Sequence, residues 1–189
     1  MKMLHYFPLF SLATLSLLLV SSTAARPAAT TPKPAPPPLP PAAKEFLKSH
    51  NKARAEVGVE PLQWSEKLAK DTSLLVRYQR NKMACGLANL TASKYGGNQL
   101  WVSIGEAIMP SSVVEVWVSK KELYIHANNT CVNHEYCWPY MQVVWKKSVQ
   151  LGCSQATCTG KKEAGLTICF YDPPAPSNVI GDRQIVHFG

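Results

Sequence analysis

Six cysteines constrain this chain more than any other feature: Cys85, Cys131, Cys137, Cys153, Cys158 and Cys169. They are even in number, and all but Cys85 lie in the second half. Whether they read as disulfides or as metal ligands depends on the compartment. Lys2 is the only charged residue ahead of Arg26, and residues 9–20 are apolar except for Ser and Thr. Ser22, Thr23, Ala24 and Ala25 supply the small residues of a cleavage site. This pattern predicts a secretory signal over 1–25, cleaved after Ala24 or Ala25. The apolar run is shorter than the roughly 20 residues a bilayer span wants. In an oxidising compartment the cysteines form three disulfides, and spacing alone leaves their connectivity open. A zinc site is a weak reading, because there is no C-x-x-C pair and no clustered His.

Secretion also gives meaning to two N-x-[ST] sequons, at Asn89-Leu90-Thr91 and Asn128-Asn129-Thr130. Asn89 and Asn128 are candidate glycan acceptors on surface loops. At 189 residues the chain suits one domain. A hydrophobic content of 46% excludes a disordered chain, and ten Gly exclude collagen. The formal net charge of +8 points to acidic surfaces as partners. Three Lys pairs stand out, Lys120-Lys121, Lys146-Lys147 and Lys161-Lys162. They lack the interleaved aromatics of a single-strand nucleic-acid binder. Acidic cell-wall polysaccharide or an anionic membrane surface is the better match, and no nucleic-acid partner is expected.

Residues 26–41 hold eight prolines. Proline donates no backbone hydrogen bond, so this stretch reads as an extended linker. The domain follows over 42–189. A first helix is expected to start after Pro41 and run to about Val57, with Phe46, Leu47, His50, Ala53 and Val57 on its apolar face and Gly58 as its cap. A second starts at Ser65 as N-cap and turns Leu68, Thr72, Leu75 and Val76 to the core. A third opens on Ser112 and Glu115 as a capping box, with Val113, Val116, Trp117 and Tyr124 inward. A fourth, short helix holds Tyr140, Val143 and Val144. Strands are expected at 99–104, 149–156 and 166–171. Helices mixed with a few strands, without βαβ alternation, indicate an α+β fold.

Several segments together resemble the CAP superfamily, specifically the plant pathogenesis-related class 1 proteins. They are 46–54 (FLKSHNKAR), 57–64 (VGVEPLQW), 140–148 (YMQVVWKKS), Leu151-Gly152-Cys153 and 169–174 (CFYDPP). Residues 72–80 (TSLLVRYQR) and 94–101 (KYGGNQLW) are most similar to a pistil- or style-abundant subgroup. The resemblance implies a three-layer α–β–α sandwich. It also implies the pairing Cys85–Cys158, Cys131–Cys137 and Cys153–Cys169.

Family members usually carry two His and two Glu that can hold a divalent metal. Those positions fall here on Leu90, Gly97, Lys120 and Pro139. Leu, Gly and Pro have no side-chain ligand, and Lys120 adds a cation that repels a metal. The expectation is therefore no metal, no cofactor and no enzyme activity. Of the other histidines in the mature chain, His50 reads as structural, and His126 and His134 as solvent-facing. No activated nucleophile is visible.

The resemblance also implies lipid binding in an apolar groove. Trp101, Ile104, Ile108, Met109, Val113, Trp117 and Tyr124 are the candidate lining here. Some relatives release a C-terminal signalling peptide. Here the corresponding stretch, Cys169-Phe170-Tyr171-Asp172, departs from the family pattern at Phe170. The expected function is that of a secreted, monomeric, non-enzymatic protein of plant defence or pistil, located in apoplast or wall, that binds a sterol or fatty acid. The alternatives are a peptide precursor and a wall-associated structural protein.

Overall fold

The computed structural model describes residues 37–103, 108–134, 136–158 and 164–176. The expected signal, most of the linker, Ile104, Lys161-Lys162 and the chain from 177 on lie outside them.

Helix α1 spans Pro41–Glu56. Its first residue is thus the proline that sequence reading assigned to the linker. Proline suits a first helical turn, where the missing N–H has no intrahelical partner anyway. Gly58 closes the helix at φ +67°, a left-handed backbone that glycine adopts without strain. Strand β1 (Gln63–Trp64) leads to α2 (Glu66–Lys82), capped by Ser65, whose Oγ accepts from Leu68 N. Strand β2 is Gly96–Val102, and α3 is Pro110–Val118.

The predicted capping box is overturned. Helix α3 begins three residues earlier, at Pro110, and the side chain of its own N-cap, Met109, makes no capping hydrogen bond. Glu45 of α1 does the work instead, accepting from Ser111 N at 3.2 Å and Ser111 Oγ at 2.6 Å. A carboxylate is well placed there, because free N–H groups and the helix dipole both favour negative charge. The remaining elements are β3 (Tyr124–Ile125), β4 (Thr130–Cys131), α4 (Trp138–Val143), β5 (Gln150–Cys158) and β6 (Ala164–Asp172). Tyr124 sits in a small β3–β4 ribbon that the sequence reading did not separate from the third helix.

The main sheet has the order β1-β5-β6-β2. Strand β1 runs parallel to β5, and the other pairs are antiparallel. Side chains alternate between its faces. Leu100, Val102, Leu151, Cys169 and Tyr171 join one core, with α1, α3 and α4. Leu166, Ile168 and Phe170 join a second, with α2. Strand β6 is therefore buried on both faces, which is why its sequence runs nearly continuously apolar. The result is the expected three layers. Gly152 on β5 is where α2 lies closest: a Cβ there would meet the backbone of Leu68 and Ala69.

The disulfides join Cys85 to Cys158, Cys131 to Cys137 and Cys153 to Cys169, the pairing the family resemblance implies. Cys153 and Cys169 stand directly opposite on β5 and β6, with Cα atoms 4.0 Å apart.

Candidate functional site

Leu90 and Gly97, two of the four family ligand positions, adjoin one another. A Cβ at Gly97 would lie 2.9 Å from Leu90 Cδ1, so the Leu90 side chain already fills that space. Pro139 is buried in the first turn of α4, and Lys120 is exposed beyond α3. Among the described residues no three of His, Cys, Asp or Glu gather closely enough to hold a metal ion. A divalent metal does not fit these residues, and no chemistry is derived through one.

Beside these positions lies a buried polar network. His50 Nδ1 donates to Phe46 O at 2.8 Å, and its Nε2 accepts from the Tyr171 hydroxyl at 2.7 Å. That hydroxyl accepts from Asn98 Nδ2 at 3.2 Å, which also donates to Pro139 O at 3.0 Å. Every donor finds an acceptor only if His50 is neutral. Burial, helped by the nearby Arg54 charge, lowers its pKa to about 4, and burial raises that of Tyr171. Arg54 donates to the carbonyls of Glu60, Val143, Trp145 and Ser148. These side chains fasten α1 to β2, β6 and the loop after α4. They are saturated by protein partners, which makes them structural.

A second clasp holds the chain after β6. Ser148 Oγ donates to Pro173 O at 2.7 Å, and Gln142 Oε1 accepts from Ala175 N at 3.0 Å. Val149 N donates to Asp172 O at 2.9 Å. The backbone that would have to be cut to free a C-terminal peptide at Asp172 is thus hydrogen-bonded into the fold. The peptide region beyond 176 lies outside the described residues.

The seven candidate lipid-lining residues do not assemble into one groove. Val113 and Trp117 are 0% exposed, and they pack with Tyr124 in the core under α3. Long apolar side chains on the inward stripe of a helix are the first to be used as core. Trp101 lies on the opposite face of the sheet, with the α2 core. Ile108 and Met109 remain near the surface. Ile108 is half-buried against Gly165, and Met109 is 61% exposed. Ile104 lies outside the described residues.

Sequence reasoning missed an open cleft of about 410 Å³. Thr91, Ser93, Tyr95, Trp145 and Lys147 line it, with residues 174–176. Three of its lining segments carried the family resemblance, 94–101, 140–148 and 169–174, but nothing in their spacing says that they meet. Both sequon asparagines are exposed. Thr91 Oγ1 donates to Asn89 Oδ1 at 2.6 Å, and Thr130 Oγ1 donates to Asn128 Oδ1 at 2.7 Å. His126 is exposed beside Tyr124 and Tyr140.

Residues 47–171 match the family model described as CAP, cysteine-rich secretory protein family. The chain belongs to this family. It is 56% identical over 142 residues to the STS14 protein of Solanum tuberosum, a match covering 75% of this chain. That match spans 64% of the potato protein, just under two thirds of its length. The chain is also 39% identical to pathogenesis-related protein 1C of Nicotiana tabacum, covering 73% of this chain and 77% of the tobacco protein. It is therefore a CAP protein similar to the pathogenesis-related class 1 group. Venom allergen-like protein 4 of Schistosoma mansoni shares the CAP fold at a TM-score of 0.55 and 20% identity. That alignment covers 74% of this chain and 92% of the other. Among the described residues, no helix is long and apolar enough to cross a membrane.

Proposed function

We propose that this CAP protein is secreted and non-enzymatic, and that it acts in plant defence or reproductive tissue by binding a sterol or other lipid. The signal-like residues 1–25 and the secretory family description support export. The residues at the family ligand positions support a binding role over catalysis. The observation that carries the lipid reading is the apolar edge at the start of α3. Met109 is 61% exposed there, beside half-buried Ile108, so the two offer an apolar contact at the surface. The test is titration of the secreted, disulfide-intact protein with a labelled sterol. Saturable binding is expected, weakened about tenfold when Ile108 and Met109 both become Ser, from the lost apolar contact. Trp117 is no control, because it sits in the core. Absence of saturable binding would overturn the reading.

A second reading is favoured by the cleft. Its hydroxyls at Thr91 and Ser93 and its cation at Lys147 suit an acidic saccharide of the wall. Titration with an oligogalacturonide is expected to show salt-sensitive binding that Lys147→Glu abolishes. Binding unchanged in that variant would exclude this cleft.

A further inference from the structure

We propose that the outward face of α2 is a docking surface for an anionic lipid bilayer. Its inward face is spent on Leu68, Thr72, Val76 and Gln79, all buried. On the opposite side, Leu74 and Tyr78 are 51% and 53% exposed. They are four residues apart, so their side chains stand one above the other on one stripe. Lys70 precedes Leu74 by one turn, Lys82 follows Tyr78 by one turn, Arg77 stands one turn beyond Leu74, and Arg80 lies off this stripe, towards the side of Val76. All four cations are exposed.

These charges are not spent on carboxylates. Among the described residues the ion pairs are Lys67–Asp71 and Lys121–Glu56. Arg77 uses Nε to donate to Ser73 O, and Arg80 uses Nε to donate to Asn81 Oδ1. Of the two acids beside this stripe, Asp71 is neutralised by Lys67 at 2.8 Å, and Glu66 stands at the N-terminal end of the helix, beyond Lys70. The face is therefore apolar at its centre and cationic around it.

That arrangement selects its partner. A rim whose free charges are all positive asks for a partner that is anionic across its whole surface. A bilayer surface accepts it. Tyr and Leu enter the headgroup region, Lys and Arg stems extend along them, and their charged heads reach lipid phosphates. An anionic surface adds attraction for each cation, which salt screens.

The experiment is cosedimentation of the full secreted chain with sterol-free vesicles, either phosphatidylcholine alone or phosphatidylcholine mixed with phosphatidylserine. Leaving out sterol keeps the outcome separate from the lipid-capture reading above. The expected result is partition onto the mixed vesicles only, lost at high salt. Leu74→Ser with Tyr78→Ser in one variant, and Lys70→Glu with Arg77→Glu in another, are each expected to weaken it about tenfold. All four sites are exposed, so thermal unfolding should stay within a few degrees of the parent. No partition onto the mixed vesicles would overturn the proposal. So would equal partition of the parent and both variants, which would assign the attraction to another face.

Discussion

His50 and Arg54 lie one helical turn apart on α1 and are both fully buried, yet they serve the fold differently. Arg54 keeps its charge and spends it on four carbonyls, which is how a buried cation avoids its desolvation cost. His50 gives up its charge. Its usual pKa of 6.5 falls to about 4 in the fold. Between those values the unfolded chain binds more protons than the folded one, so stability drops as pH falls from about 6.5 towards 4. The slope is about 1.4 kcal/mol per pH unit, for a total of about 3 kcal/mol. Above that window His50 contributes no pH dependence. Urea unfolding across this range checks it, and His50→Gln should remove this part of the slope. Tyr171→Phe tests the same network without a titrating group. It leaves His50 Nε2 without its donor and Asn98 Nδ2 with one acceptor fewer, in a dry interior. The expected loss is about 1–3 kcal/mol in the same assay.

At the scale of elements, α3 shows how a neighbour can replace a local signal. Its Ser112 and Glu115 have capping-box spacing, but they lie inside a helix that Pro110 starts. The first free N–H groups face α1, and Glu45 reaches them. Glu45→Ala should therefore destabilise the protein by about 1 kcal/mol, as loss of a helix cap does. Ser112→Ala should leave it within about 0.5 kcal/mol. Equal effects in chemical denaturation would mean that Glu45 does not cap α3. The short strand β1 and the β3–β4 ribbon escaped sequence reading for a related reason. Two residues give no periodicity to detect. They are strands because β5 and each other supply partners. Helix α2 was legible on its buried side alone. Its apolar outward pair becomes informative only once the sheet shows which side is buried.

For the molecule as a whole, the disulfides rank by the chain they enclose. Cys85–Cys158 spans 73 residues and ties the end of α2 to the end of β5, whereas Cys131–Cys137 spans six. Loop-closure entropy gives about 4 kcal/mol for the first and about 2 kcal/mol for the second. Replacing each pair by Ser should reproduce that order in thermal unfolding, measured against the protein with all three disulfides. The reverse order would place the main effect in native contacts instead. Much of this architecture was legible in advance. The helix faces, the cap at Ser65, the turn at Gly58 and the three longer strands follow from local chemistry, since periodicity and caps act within a few residues. The cysteines and signal pattern gave the expectation of an oxidising compartment, and the spread of family segments pointed to the layers. Tertiary structure alone decided which apolar residues could meet a ligand. Val113, Trp117, Ile108 and Met109 look alike in sequence, but burial depends on what packs above each one. It also brought Thr91, Tyr95, Trp145 and Lys147 to one cleft and left Leu74 and Tyr78 facing outward among cations. Those relations join residues far apart in the chain, or compare one face of a helix with another, and no local pattern encodes them.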